Sequence, residues 1–237
     1  MADDDNEPPP PPPPRRPQST WIGDPFWQPT PLLVRNSNAF FQPQQMIRNP
    51  LLYTQEATDL PSPIPADLPQ LMMKAVFIPG DKTSEGVLVE MVTLPWFDII
   101  EEYLRDPTVA LQIPDRKWEE IIAAAYKKAG FDEVTLTPRS GDRGRDVIAI
   151  KRAHGIVRVI DQVKAYAPGH LVPANDVRAL IGVLETDGAA KGFLTTTSDF
   201  APRIRTDPTI TPFIPSRLEL INGTGLRAWL EQLRKHS

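Results

Sequence analysis

The sequence predicts an α/β domain with a mixed β-sheet flanked by helices, preceded by a proline-rich arm. Three observations lead to this prediction. Two β-branched runs, 146–151 and 156–164, are separated by a short turn and read as an antiparallel hairpin. A helical pattern then precedes another strand at 192–196, which is the crossover that a parallel strand pair requires. Proline is concentrated at one side of the chain, since 18 of the 28 prolines lie before Gly80.

The composition excludes several classes of protein. The 237 residues are 41% hydrophobic, which allows one packed domain plus extensions. There is no cysteine, so the chain has neither a disulfide framework nor thiolate chemistry. No apolar run approaches the length of a membrane span, and the acidic N-terminus is unlike a signal peptide. We therefore expect a cytoplasmic protein that does not bind membranes.

The distribution of charge is more informative than the net charge of −4. Residues 1–113 contain 7 Lys and Arg against 15 Asp and Glu, whereas residues 114–237 contain 19 against 15. The basic excess therefore lies on the segment that carries the hairpin, as a phosphate-binding surface requires.

The chain divides into three predicted regions. Residues 1–70 form a low-complexity arm whose proline run, 8–14, is expected to adopt polyproline II. The run is either a solvated tail or a ligand for a protein partner that recognises proline. Residues 71–113 form a small linker segment, with a hairpin of 75–78 and 87–92 and then a helix.

The third region, 114–237, is the predicted globular domain, whose elements follow from their apolar spacing. A helix over 115–129 has a buried stripe that begins with Trp118 and Ile121. The remaining predicted elements are a strand at 134–137, the hairpin, a helix at 172–185, strands at 192–196 and 218–221, and a helix at 225–234.

Polar residues gather at one end of the predicted hairpin. A tight turn between His154 and Gly155 would place Asp146 opposite Val163. Because side chains alternate along a strand, Gln162 and Lys164 share one face. A carboxylate, an amide oxygen and an ammonium then meet at the end of two neighbouring strands.

This group suits metal-assisted phosphodiester hydrolysis. Asp146 and Gln162 supply hard oxygen ligands of the kind that Mg²⁺ accepts, with Mn²⁺ as an alternative. Lys164 cannot bind the metal, but it can orient or deprotonate the attacking water, or stabilise the charge that develops on phosphate. The alternative is an edge hairpin with ordinary surface polar residues.

The loop before Asp146 is the predicted DNA-binding element. Its glycines let the backbone approach phosphate, its arginines add positive charge, and Tyr166 at the same end of the sheet is placed to touch substrate. The hydroxyl of Thr196 either contacts phosphate or caps the next turn. The predicted DNA-binding residues are Arg139, Ser140, Gly141, Arg143, Arg145, Tyr166 and Thr196.

These residues resemble a known family. Asp146 followed by the Gln-Val-Lys of 162–164 is similar to the PD-(D/E)xK nuclease signature in its QxK variant. The sequence SGDRGRD at 140–146 resembles the SGDxGxD of the Mrr-like catalytic domain of restriction endonucleases. The likeness extends over about half the chain, through 118–119, 130–131, 191–196 and 218–223. It departs from the family at Asn222, where Asp is usual, and in the proline-rich stretch 203–215, where a helix is frequent.

The resemblance implies a three-layer restriction-endonuclease-like fold and a metal-dependent DNA endonuclease, acting in restriction or in defence against foreign or modified DNA. It also implies that Glu119 reaches the hairpin as a further catalytic residue and metal ligand; the alternative is an acid that favours the helix dipole. A junction resolvase or repair nuclease, and a non-catalytic DNA-binding or scaffolding module, are the other functions considered. Homodimer formation is left open.

Overall fold

A computed structural model describes residues 68–139, 144–153 and 155–235 of the chain. The helices are α1 (Leu68–Met73), α2 (Leu94–Arg105), α3 (Asp115–Lys128), α4 (Ala174–Asp187) and α5 (Gly223–Lys235). The strands are β1 (Phe77–Lys82), β2 (Val87–Val92), β3 (Glu133–Leu136), β4 (Val147–Arg152), β5 (Ile156–Lys164), β6 (Lys191–Thr196) and β7 (Leu218–Ile221). The predicted arm lies outside the described residues, except for its last three positions.

The strands of the described part form one mixed sheet in the order β1-β2-β3-β4-β5-β6-β7. Strands β1 to β5 are joined by antiparallel pairing, and β5, β6 and β7 run parallel. The antiparallel pairs need only short connections, whereas α4 carries the chain from β5 back to the start of β6. The prediction of an α/β fold with a mixed sheet is confirmed.

Two hydrophobic clusters cover the two faces of the sheet. One packs α2, α3 and α5 against one face, with Trp96, Trp118 and Phe193 fully buried in it. The other packs α4 against the opposite face through Ile160 and Leu194 of the central strands. Helices on both faces follow from strands whose residues are apolar on both sides, as parallel central strands usually are. The expectation of a three-layer arrangement is thereby confirmed.

The crossover helix α4 lies close to β6 because β6 has a glycine where the two elements meet. A Cβ atom on Gly192 would lie 2.9 Å from both terminal methyl groups of Leu184, which is closer than real Cβ contacts allow. Leu184 is buried, so a side chain at position 192 would displace the helix from the sheet.

The hairpin expected within 71–113 is part of the main sheet. Strands β1 and β2 pair antiparallel, and β2 continues into the sheet through Val87 paired with Leu136 and Leu88 paired with Thr135. Helix α1 precedes them, and its Leu68 is 1% exposed. Hydrogen-bonded strands and shared core residues therefore join this segment to the domain that follows it.

The proline-rich stretch 203–215 contains no α-helix in the structure. It forms two short 3₁₀ turns, Ile204–Thr206 and Thr211–Phe213, and its Ile204 and Ile210 are buried under the sheet edge. None of the helices described here has the length and apolar character needed to cross a bilayer.

Candidate active site

Asp146 immediately precedes β4, at the end of the paired region of β4 and β5. Its backbone N–H donates to the carbonyl of Asp161 at 2.9 Å, and its carboxylate Oδ2 accepts from the backbone N–H of Val163 at 2.6 Å. The carboxylate thus accepts a hydrogen bond that a backbone carbonyl would accept if the pairing of β4 with β5 continued. Because this carboxylate is held by the backbone of β5, its position is set by the sheet rather than by a loop.

The hairpin register differs by one residue from the prediction. A turn centred between His154 and Gly155 would pair Val147 with Gln162, but Val147 pairs with Asp161. This one-residue change of register moves the centre of the hairpin half a residue earlier, and Ala153 N–H donates to the carbonyl of Gly155 at 3.1 Å. Continuing this register by one residue places Asp146 opposite Gln162, and not opposite Val163.

This correction brings the three predicted residues onto one face. Opposed residues of an antiparallel pair project to the same side, and residues two apart on a strand do so as well. Ile148 and Ile160, which pair with each other, both pack in the cluster beneath α4. Asp146, Gln162 and Lys164 follow in the same alternation, so they belong to the α4 face.

Gln162 has an amide oxygen without a partner. Its Oε1 is buried and accepts no hydrogen bond from the described residues. Gly144 lies close to the other side of the amide, since a Cβ there would be 3.4 Å from Gln162 Nε2, and its φ of +74° suits glycine. A buried carbonyl-type oxygen left unpaired costs about 1–3 kcal/mol, so it calls for an electropositive partner.

Lys164 is held from the first turn of α4. Its side chain is 25% exposed, and its Nζ lies 3.7 Å from Oδ2 of Asp176. The hydroxyl of Tyr166 donates to the same carboxylate oxygen over 3.5 Å, and the Tyr166 ring is stacked on His170 with centroids 4.2 Å apart. The ammonium is therefore oriented and still reachable from solvent.

Asp161 is a buried carboxylate on the opposite face of the same strand end. Its Oδ2 accepts hydrogen bonds from Tyr126 at 3.0 Å and from Thr195 at 2.8 Å, while its Oδ1 has no partner among the described residues. Burial raises the pKa of Asp161 to about 7; the donors Thr195 and Tyr126 oppose this rise, and the charge of Asp146 adds to it.

Glu119 lies in the first half of α3, and its carboxylate pairs with Arg116 one helical turn earlier, at 2.5 Å. Helix α3 packs on the sheet face opposite to α4. Glu120 makes the equivalent pair with Lys117 at 2.8 Å. Within the described residues, no three His, Cys, Asp or Glu side chains form a group able to hold a metal ion. The role of Glu119 as a ligand stays a prediction.

Two of the predicted DNA-binding residues make contacts with other groups of the protein. The guanidinium of Arg145 forms ion pairs with Asp187 and, at 3.5 Å, with Glu85, which also bind Arg158. This network joins Arg145 to carboxylates of the protein, and its contact with phosphate stays a prediction.

Thr196 is fully buried and donates its hydroxyl to the carbonyl of Lys164 at 2.7 Å. This contact favours the structural alternative for the hydroxyl, and a contact with DNA stays a prediction. Arg139 is exposed beside the loop. Ser140, Gly141 and Arg143 lie outside the described residues.

Two residues of this region were missed by the sequence analysis. Asp161 could have been found as a charged residue inside a β-branched run, where a buried carboxylate needs specific partners. Asp176 had no local signal, because an acid in the first turn of a helix is ordinary and its contact with Lys164 arises only from packing.

The comparison with known families identifies the domain. The Mrr catalytic-domain family, described as restriction endonuclease, matches residues 110–230, just over half of the chain. The chain belongs to this restriction endonuclease family. Residues 110–230 include all of the hairpin and the strands on either side of it, so the proposed site lies inside the matched region. No curated protein matches the chain.

Two solved structures are similar to the chain. One is the MspJI restriction endonuclease in complex with a 27-mer oligonucleotide, with 18% identity and a TM-score of 0.42, covering 57% of this chain and 35% of that one. The other is the DNA modification-dependent restriction endonuclease AspBHI, with 20% identity and a TM-score of 0.38, covering 62% of this chain and 42% of that one. The matched part thus spans well under half of either protein.

Proposed function

We propose that this protein is a divalent-metal-dependent DNA endonuclease that hydrolyses phosphodiester bonds, in restriction or defence against foreign or modified DNA. The observation that carries the proposal is the buried Oε1 of Gln162, which accepts no hydrogen bond from the described residues, opposite Asp146 and two residues before Lys164. Membership of a restriction endonuclease family supports it, because the family match contains all three residues.

The donor set fits a hard divalent cation. The carboxylate of Asp146 and the amide oxygen of Gln162 would hold Mg²⁺ or Mn²⁺, and the ion would satisfy the Gln162 oxygen, which has no partner in the described part of the chain. When bound, such an ion supplies Lewis acidity toward a phosphate oxygen. The hairpin alone contributes one carboxylate and one neutral oxygen, so we expect weak binding of the ion before DNA arrives, unless Glu119 supplies a second carboxylate.

Lys164 is assigned two roles, which are to position the attacking water and to contact the phosphate. Its ammonium is partly exposed and is oriented by Asp176, which allows it to donate to a phosphate oxygen or to position a water molecule for attack. A cation fixed beside the reacting phosphate stabilises negative charge as it develops on the phosphoryl oxygens. The ion pair with Asp176 is long enough to be exchanged for a substrate contact without unfolding the helix start.

DNA is the proposed partner, bound through its backbone. Arg139 is exposed next to the loop that leads to Asp146, and the glycines of that loop permit a close approach of the backbone to phosphate. The net charge of +4 over residues 114–237 favours this surface for a polyanion. Contacts of this kind carry no base sequence, so selectivity is expected to depend on other features.

A plasmid nicking assay with Asp146→Ala and Lys164→Ala tests the proposal. Each variant should lose at least about a hundredfold in rate with Mg²⁺ or Mn²⁺, because each removes a group that contacts the reacting phosphate or its metal. Lys151→Ala is the matched control, since Lys151 lies on the same hairpin at its far end and donates to the carbonyl of Gly130.

Methylated and unmethylated plasmids should be compared in the same assay, which separates a nuclease for modified DNA from a general one. Near-normal turnover by Asp146→Ala or by Lys164→Ala would show that the assigned site is wrong. Tight DNA binding by the wild type without any cleavage, with either metal, would instead favour the non-catalytic module.

A further inference from the structure

A cavity of about 350 Å³ opens at the end of the sheet where β5, β6 and β7 finish. Its walls come from the ends of β6 and β7, the start of α5, the loop after β5 and the 3₁₀ turn Pro107–Gln112. Tyr166 lines it, two residues after Lys164, and the hydroxyl of the adjacent Thr197 donates to the carbonyl of Tyr166 at 2.8 Å. The loop that follows Lys164 therefore connects the proposed nuclease site to the cavity.

The lining combines aromatic rings with polar edges. Tyr103 is 2% exposed, and its ring is held edge-on against Trp118 with centroids 5.1 Å apart. Burial raises the pKa of Tyr103 to about 12 against the opposing charge of Arg227, so the phenol keeps its proton. A neutral hydroxyl of this kind both donates and accepts hydrogen bonds.

The charges of the cavity argue against a simple phosphate site. Asp199 contributes a carboxylate that accepts from Asn222 Nδ2 at 3.2 Å, and Arg227 contributes a guanidinium. One Arg227 amino group donates to the carbonyl of Leu104 at 2.9 Å, while its Nε is buried without a partner among the described residues. Offsetting charges with donors and acceptors on the same wall suit a neutral polar ring better than a dianion.

We propose that this cavity receives one unstacked nucleobase of the DNA strand that is cleaved. A base presents a π-face to the ring of Tyr166 and an edge of donors and acceptors to Asp199, Asn222 and Arg227. Tyr166 lines the cavity, and its ring is held in place by stacking on His170. Because the loop of Tyr166 also follows Lys164, a nucleotide held here is joined to a phosphate near the nuclease site. This inference rests on the proposed function.

The test measures binding of DNA, not its cleavage. The Lys164→Ala variant is titrated into fluorescent duplexes that carry a single mismatch at successive positions. A mismatched base costs less to unpair and unstack, so one position should tighten binding about tenfold or more. Adding Thr224→Trp should abolish that gain, because residue 224 lines the cavity and is exposed at the start of α5.

Thr206→Trp is the matched control, since Thr206 is exposed on a 3₁₀ turn that does not line the cavity. Should Thr224→Trp lose its cooperative melt, Leu111→Trp on the opposite wall replaces it, because Leu111 is 57% exposed. Uniform affinity across all mismatch positions, or a gain that persists in the cavity-filling variant, overturns the inference. Failure of the wild type to nick any plasmid refutes the proposed function instead, and that result is independent of the binding curves.

Discussion

The buried carboxylate of Asp161 should make the stability of this domain depend on pH in an unusual direction. Its pKa is about 7 in the folded chain against 3.8 as the ordinary value. The folded state therefore holds a proton that the unfolded state releases between these values. The stabilisation from this group is complete below about pH 3.8 and is lost as pH rises through about 7.

The magnitude follows from the same two pKa values. At 1.36 kcal/mol for each pH unit, the full effect is about 4 kcal/mol, and about 2–3 kcal/mol of it falls between pH 5 and pH 8. Asp161→Asn cannot titrate, yet its amide oxygen can still accept from Tyr126 and Thr195. The variant should therefore gain stability relative to the wild type as pH rises, by about 2–3 kcal/mol over that interval.

Urea unfolding of both proteins at pH 5 to 8 measures this difference, because the other titrating groups cancel between them. Thr195→Val provides a second test of the direction in which the stability changes with pH. It removes a hydroxyl that stabilises the charged form, so the loss of stability should extend to higher pH. Thr186→Val, an exposed exchange on α4, is its control. Parallel stability curves for the wild type and Asp161→Asn would refute the reasoning.

Three further predictions concern the proposed site and the stability of the domain around it. Gln162→Glu should tighten Mg²⁺ or Mn²⁺ binding without DNA about tenfold in calorimetry, because it adds the missing charge; an equal gain in the exposed control Gln112→Glu would contradict this. Asp187→Asn should lower the free energy of unfolding by about 2 kcal/mol near neutral pH, because it removes the charge from the hydrogen bond with Arg158. Burial raises the Asp187 pKa, but Arg158 and Arg145 lower it more, so the stability lost in Asp187→Asn should become smaller as the pH falls. The control Glu185→Gln should change the stability little. A chain starting at residue 66 should melt like the full chain, whereas one starting at 71 should lose about 2–5 kcal/mol through Leu68.

The role of Glu119 can be tested in the same calorimetric experiment. Glu119 and Glu120 carry the same charge on the same helix, and each has a basic partner three residues earlier. If Glu119 reaches the metal, Glu119→Gln should weaken binding more than Glu120→Gln does. Equal titrations for the two variants would leave Glu119 as a helix-stabilising acid.

Much of the fold could be predicted from the sequence because its signals are local. The helix 115–129 was expected from its apolar spacing and is α3, Asp115–Lys128. The hairpin strands were expected from β-branched runs and are found within one residue of the expected ends. Periodicity and turn residues act between neighbours in the chain, so they can be read without knowing the partner surface.

The register of the hairpin could not be read with the same accuracy. A turn of three residues leaves two positions for its centre, and the choice moves every opposed pair by one. Val147 pairs with Asp161, and this single step sets Asp146 across from Gln162. Packing of β5 against α4 on one side and α3 on the other makes the choice, because only one register buries the apolar residues of both strands.

Sequence by itself singled out the residues that we propose for the chemistry, since Asp146, Gln162 and Lys164 can be identified by residue type and spacing. Tertiary structure decided their surroundings. It paired Arg145 with Asp187, which is distant in the chain, and it buried the hydroxyl of Thr196. The physical reason is that ionic and hydrogen-bond partners are selected by three-dimensional proximity, which no local pattern encodes.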